Sequence, residues 1–184
     1  RRFDEYQTMS IPKGVSVPGA ELVLRARALA PKVTTRIIVN CAGRTRSIIG
    51  TQSLINAGIP NPVSALRNGT IGWTLAGQEL VKGADRCFPD IDDNLRQQAA
   101  ATAMAVAYRA GVKRVKKPEL AEWLQEKKRT TYFFDVRTPE EYAAGHVAQA
   151  LNAPGGQLVQ ETDHQAPVRG ARIVLCDTDG ARAN

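Results

Sequence analysis

Two stretches of this chain repeat each other at one fixed spacing, and that constrains the fold more than any single residue. "RRFDEYQTMSIPKGVSVPGAELV" (1–23) aligns with "RTPEEYAAGHVAQALNAPGGQLV" (137–159) at an offset of 136. Arg1 falls on Arg137, Glu5 and Tyr6 on Glu141 and Tyr142, and Leu22 and Val23 on Leu158 and Val159. Without a gap, "RIIVNCAGRTRS" (36–47) then falls on "RIVLCDTDGARA" (172–183). Two blocks in one register imply tandem homologous units of a size suited to α/β domains. The expected division is 1–115 and 116–184. Both copies read as incomplete, because "KKPELAEWLQEKK" (116–128) and "TYFFDV" (131–136) have no counterparts before Arg1. The second copy stops at Asn184, where the first continues into a helix. An alternative is that 116–136 pack onto the first copy and take the place of those pieces.

Within the first copy, strands and helices alternate. "AELVLRARALA" (20–30) has helical spacing, and "TRIIVNC" (35–41) reads as a strand buried on both faces. A helix is expected over 47–58, opened by Ser47 and closed by Gly58. "PVSALRNG" (62–69) reads as strand and turn, 72–83 as a short helix, and 92–111 as an Asp-capped helix joining the copies. This order predicts an α/β fold with a central parallel sheet flanked by helices. Trp73 and Leu75 are expected in the core.

Sites in such sheets form where strands end, and Cys41 sits there. The helix after it carries unpaired amides and a partial positive charge at its start. Six residues, Cys41 to Arg46, can curl so that their amides converge on the sulfur as an anion nest. Gly43 is expected to free the turn of a Cβ clash, and Arg44 and Arg46 add permanent cations. Each effect favours thiolate over thiol, below the usual pKa of about 8.5. A thiolate is a nucleophile for covalent catalysis, and the same donors would grip an oxyanion. Cys87 lies among acids and reads as structural.

The charge balance reads first as a solvated basic surface and is compatible with a small anionic ligand. The net charge is +7, and residues 1–115 hold 16 Lys and Arg against 8 Asp and Glu, while 116–184 hold 9 against 10. Aromatics are only 5% and the arginines are scattered, which argues against nucleic acid. No apolar run approaches the roughly 20 residues that cross a bilayer. Three cysteines without a CxxC pair, and two histidines, give no zinc set and no cofactor motif. An odd cysteine count favours free thiols in a reducing compartment, hence the cytoplasm.

"CAGRTRS", after a buried strand and before "LRNGTIGWTLAGQEL", resembles the active-site half of a rhodanese domain. "FDVRTPEEYAAGHVAQALNAP" (134–154) resembles the other rhodanese signature. The resemblance implies a sulfurtransferase without a cofactor. Cys41 would take the outer sulfur of thiosulfate or a similar anionic donor as a persulfide, then pass it to a thiol or to cyanide. Ala42, Gly43, Arg44, Thr45, Arg46 and Ser47 would hold donor and persulfide; Arg1 and His146 would be structural. In the second copy Cys41 falls on Asp177, which cannot form a persulfide, and "DTDGAR" (177–182) carries a net −1 against +2 for "CAGRTR". Reading Cys176 as the nucleophile gives the longer loop of phosphatase relatives, but Leu175 stands where they have His and two acids oppose phosphate. The rival to an enzyme is a non-catalytic sulfur-binding or regulatory module. Oligomeric state is not set by the sequence.

Overall fold

A computed structural model describes residues 1–184. The first part contains α1 (Phe3–Thr8), α2 (Glu21–Leu29), β1 (Ile37–Val39), α3 (Thr45–Asn56), β2 (Val63–Ala65), α4 (Gly69–Leu75) and α5 (Asp93–Arg109). The second contains α6 (Lys117–Gln125), β3 (Thr131–Asp135), α7 (Pro139–Ala144), β4 (Leu151–Asn152), α8 (Gly155–Gln160), α9 (Thr162–Gln165) and β5 (Arg172–Cys176). All strand pairing is parallel: β1 with β2, and β3 between β4 and β5. The mixed α/β architecture expected from the sequence is present, its parallel strands split between two sheets. β3 pairs only inside the second sheet, so 116–136 do not substitute for a strand beside β1.

The elements follow their local chemistry. Asp92 caps α5 by accepting the Leu95 amide at 2.8 Å. Thr138 and Glu141 form a reciprocal capping box on α7. α3 ends where the Ile59 amide reaches back to the Leu54 carbonyl at 3.1 Å, past Gly58. Three expectations fail. β1 is not buried on both faces, since Ile38 is 58% exposed and only Val39 is sealed. α4 runs over 69–75 rather than 72–83, because the chain turns out at Gly77 and returns as a bridge from Val81 to Ser10. That leaves Leu75 80% exposed instead of in the core.

Side-chain hydrogen bonds recur at the 136 offset. Arg1 donates to the Met9 carbonyl at 2.8 Å, as Arg137 does to that of Gly145 at 2.7 Å. The Tyr6 hydroxyl donates to the Gly14 carbonyl at 2.8 Å, as Tyr142 does to that of Ala150. Two apolar clusters lie one on each sheet, around Val39 and Leu54 and around Phe134 and Val136. A third joins Leu24, Ile91, Ala99 and Ala103 to Ala181 of the C-terminal loop, so the two parts share a core. Leu24 and Ile91 there each contribute about 1.5–3 kcal/mol, and the alanines less.

Candidate active site

Cys41 follows β1 and precedes α3, as the sequence implies, but the helix starts two residues earlier than expected. Arg44 is its N-cap, and no side chain caps the first turn. Ser47 therefore lies inside the helix, where it turns back on the loop. Its Oγ is 3.6 Å from Cys41 Sγ and donates to the Arg44 carbonyl at 2.9 Å. A hydroxyl has one proton, so Ser47 accepts from the thiol and must swing that proton to sulfur when the thiol ionises. The amides of Arg44, Thr45 and Arg46 have no partner within the protein. These are the free donors an anion nest requires.

Burial is the largest influence on the thiol and pushes its pKa up. The Ser47 hydroxyl, the Ser47 and Gly43 amides and the Arg46 charge together outweigh it, leaving the pKa below the ordinary value. Cys41 is only 3% exposed, while Ala42, Gly43 and Arg46 are half-buried and Arg44 and Thr45 exposed.

The two loop arginines do not converge. Arg46 donates to Glu5 at 2.7 Å and lines a cavity of about 330 Å³ between the two parts, together with Arg1 and Arg182. Arg44, carried outward by its N-cap position, lines a separate cavity of about 360 Å³ with Ser47 and Arg67. Glu5 and Arg67 escaped the sequence reading. Glu5 is 41 residues from its partner, and Arg67 in "LRNG" carries no mark separating it from a surface cation.

Gly43 is also not the glycine the loop depends on, for a Cβ there would meet nothing within 4 Å. Gly69 is. Its φ is +55°, and a Cβ would overlap the Cys41 carbonyl oxygen and come within 2.7 Å of that of Gly43. The start of α4 thus rests directly on the back of the cysteine loop. The Thr70 and Ile71 amides donate to the Cys41 and Ala42 carbonyls at 3.0 and 3.1 Å.

The C-terminal loop follows its strand in the same way, but its chemistry is the opposite. Asp177 accepts the Gly180 and Ala183 amides at 3.0 and 2.9 Å, and Asp179 accepts those of Ala181 and Arg182 at 2.8 and 3.1 Å. Two carboxylates of the chain itself fill the nest. Burial and the charge of Asp179 raise the Asp177 pKa. Cys176, at the end of β5, is pushed up to about 11 by burial and the nearby Asp135, the wrong direction for a nucleophile. His146 stacks on Tyr142 and bonds its carbonyl at 3.0 Å, bracing the end of α7. No three His, Cys, Asp or Glu side chains are grouped as metal ligands would be.

Residues 117–184 match the sequence model of the rhodanese-like domain. Over the whole chain, the structure superposes on the crystal structure of a thiosulfate sulfurtransferase from Pseudomonas aeruginosa with TM-score 0.97 and 69% identity. Residues 117–184 are thus similar to rhodanese-like domains. The chain spans 35% of the length of that neighbour. No curated protein matches it. No helix of the chain is long and apolar enough to cross a membrane.

Proposed function

We propose that the chain supplies the active-site loop of a thiosulfate sulfurtransferase, with Cys41 as the sulfur carrier. The thiolate attacks the outer sulfur of thiosulfate, the S–S bond breaks, and sulfite leaves with the bonding pair. A thiol or cyanide acceptor then removes the outer persulfide sulfur, and the pair returns to Cys41 as thiolate. One observation carries this reading: a thiol of lowered pKa beside three unpartnered amides at the start of α3. Ala42 to Ser47 supply the cradle, Arg46 the charge at the sulfur, and Arg44 with Arg67 the outer attraction for a small anion. Further support comes from the relative whose title names thiosulfate sulfurtransferase.

We read 1–115 and 116–184 as parts of two tandem rhodanese-like units, on the sequence register and the hydrogen bonds recurring at its offset. The second unit is inactive in this reading, since Asp177 replaces the sulfur and takes up its donors. Three free cysteines suit the reducing cytoplasm.

Intact-mass measurement after incubation with thiosulfate tests the assignment. The chain is expected to gain one sulfur, lose it to cyanide, and gain none as Cys41→Ser. Sulfur gained by the Cys41→Ser protein would end the site assignment. Near-complete burial of Cys41 and the Arg46–Glu5 pair favour the second reading, a non-catalytic sulfur-binding module. That module would hold sulfur without releasing it to cyanide.

A further inference from the structure

The amide of Gly43, one of the groups that stabilise the Cys41 thiolate, shares a peptide plane with the Ala42 carbonyl. In a trans peptide the N–H and C=O point in opposite directions, so whatever fixes the carbonyl aims the amide. Two groups hold the Ala42 oxygen: the Ile71 amide at 3.1 Å and the Thr70 hydroxyl at 3.2 Å. Thr70 also donates its own amide to the Cys41 carbonyl at 3.0 Å, which turns the Ala42 N–H the opposite way. Thr70 is 1% exposed and lies on the carbonyl side of the loop.

We propose that Thr70 is a positioning residue for the Cys41 thiolate, its hydroxyl holding the Ala42 carbonyl so that the Gly43 amide faces Cys41 Sγ. Gly69 makes this reach possible, because only a residue without a Cβ lets α4 ride against the loop carbonyls. A residue that merely filled this buried spot could be valine, which has the same shape and branching as threonine. The hydroxyl is what the geometry uses, and the inference rests on Cys41 being the reactive thiol.

The test is the pH profile of iodoacetamide alkylation at Cys41, followed by peptide mass spectrometry on the intact chain. Thr70→Val is expected to raise the midpoint by about half to one pH unit, with the plateau rate at high pH unchanged. Alkylation at pH 7 then slows by about three- to tenfold. Thr70→Ser, which keeps the hydroxyl, is expected to retain the wild-type midpoint. Should Thr70→Val fold poorly, Thr70→Ala carries the same expectation. An unshifted midpoint in folded Thr70→Val or Thr70→Ala overturns the proposal, as does a Thr70→Ser midpoint displaced as far as theirs. Alkylation needs no sulfur donor. A chain that shows the Thr70 shift yet takes no sulfur from thiosulfate therefore upholds this inference while removing the sulfurtransferase reading.

Discussion

The two anion loops differ at five of six positions, and restoring the cysteine alone is not expected to make the second loop active. Asp177→Cys would put a thiol where Cys41 sits, but Asp179 would still hold the Ala181 and Arg182 amides and keep its charge beside the new sulfur. In place of the lowered thiol of Cys41, the introduced one should be raised by burial and by that carboxylate, as Cys176 is raised by burial and by Asp135. Mass measurement after thiosulfate treatment should find one sulfur per chain in Asp177→Cys, as in the parent. Two sulfurs would show that the carboxylates do not silence the loop. At this scale the sequence was informative where the chemistry is contiguous. Cysteine, arginines and helix start fall within seven positions, so sulfur and cradle could be named from them. It was uninformative where partners are brought together by the fold, as with Glu5 and Arg46, or Thr70 and the Ala42 carbonyl.

Elements with a repeating apolar stripe or a cap were readable: α2 and α5 lie within a residue or two of their expected bounds. The strand at Ile37–Val39 was read as doubly buried because three β-branched residues in a row fit that pattern. Sequence pattern reports apolarity, however, and not whether anything lies against Ile38. The start of α4 was missed because "LRNG" looks like a turn ending a strand. It is that, but Asn68 and Gly69 both take positive φ and lead straight into a helix. This junction carries a prediction. Gly69→Ala combines a left-handed backbone with overlap against loop carbonyls, and should cost more than about 2 kcal/mol. The denaturant midpoint measures it, and Gly43→Ala, where a Cβ meets nothing, should cost less than about 1 kcal/mol. Equal losses would mean that α4 does not brace the loop.

Across the whole molecule, the two parts are tied by Arg182. Its side chain is 2% exposed and donates to Glu21 of α2 at 2.7 Å, to Glu141 at 2.6 Å and to Asp179 at 2.6 Å. Glu21 in turn accepts from Arg25 at 3.0 Å. None of this was legible, since Glu21 and Arg182 are 161 residues apart. The network gives stability a pH dependence. Burial raises the Glu141 pKa, but Arg182 and the Thr138 amide overcome this and hold it at about 2, below the ordinary 4.5. A depressed carboxylate contributes stability that is fully present above about pH 4.5 and lost as pH falls toward 2. Asp135, lowered mainly by Arg137 against its own burial, acts in the same direction, while Asp177, raised, acts in the opposite one. Because the Glu141 side chain is 38% exposed, screening limits its share to about 1–2 kcal/mol. The urea midpoint of Glu141→Gln should therefore lie below that of the parent at pH 7, with the two converging as pH approaches 2. A gap that stayed constant across that range would place the loss in packing or capping and not in the charge held by Arg182.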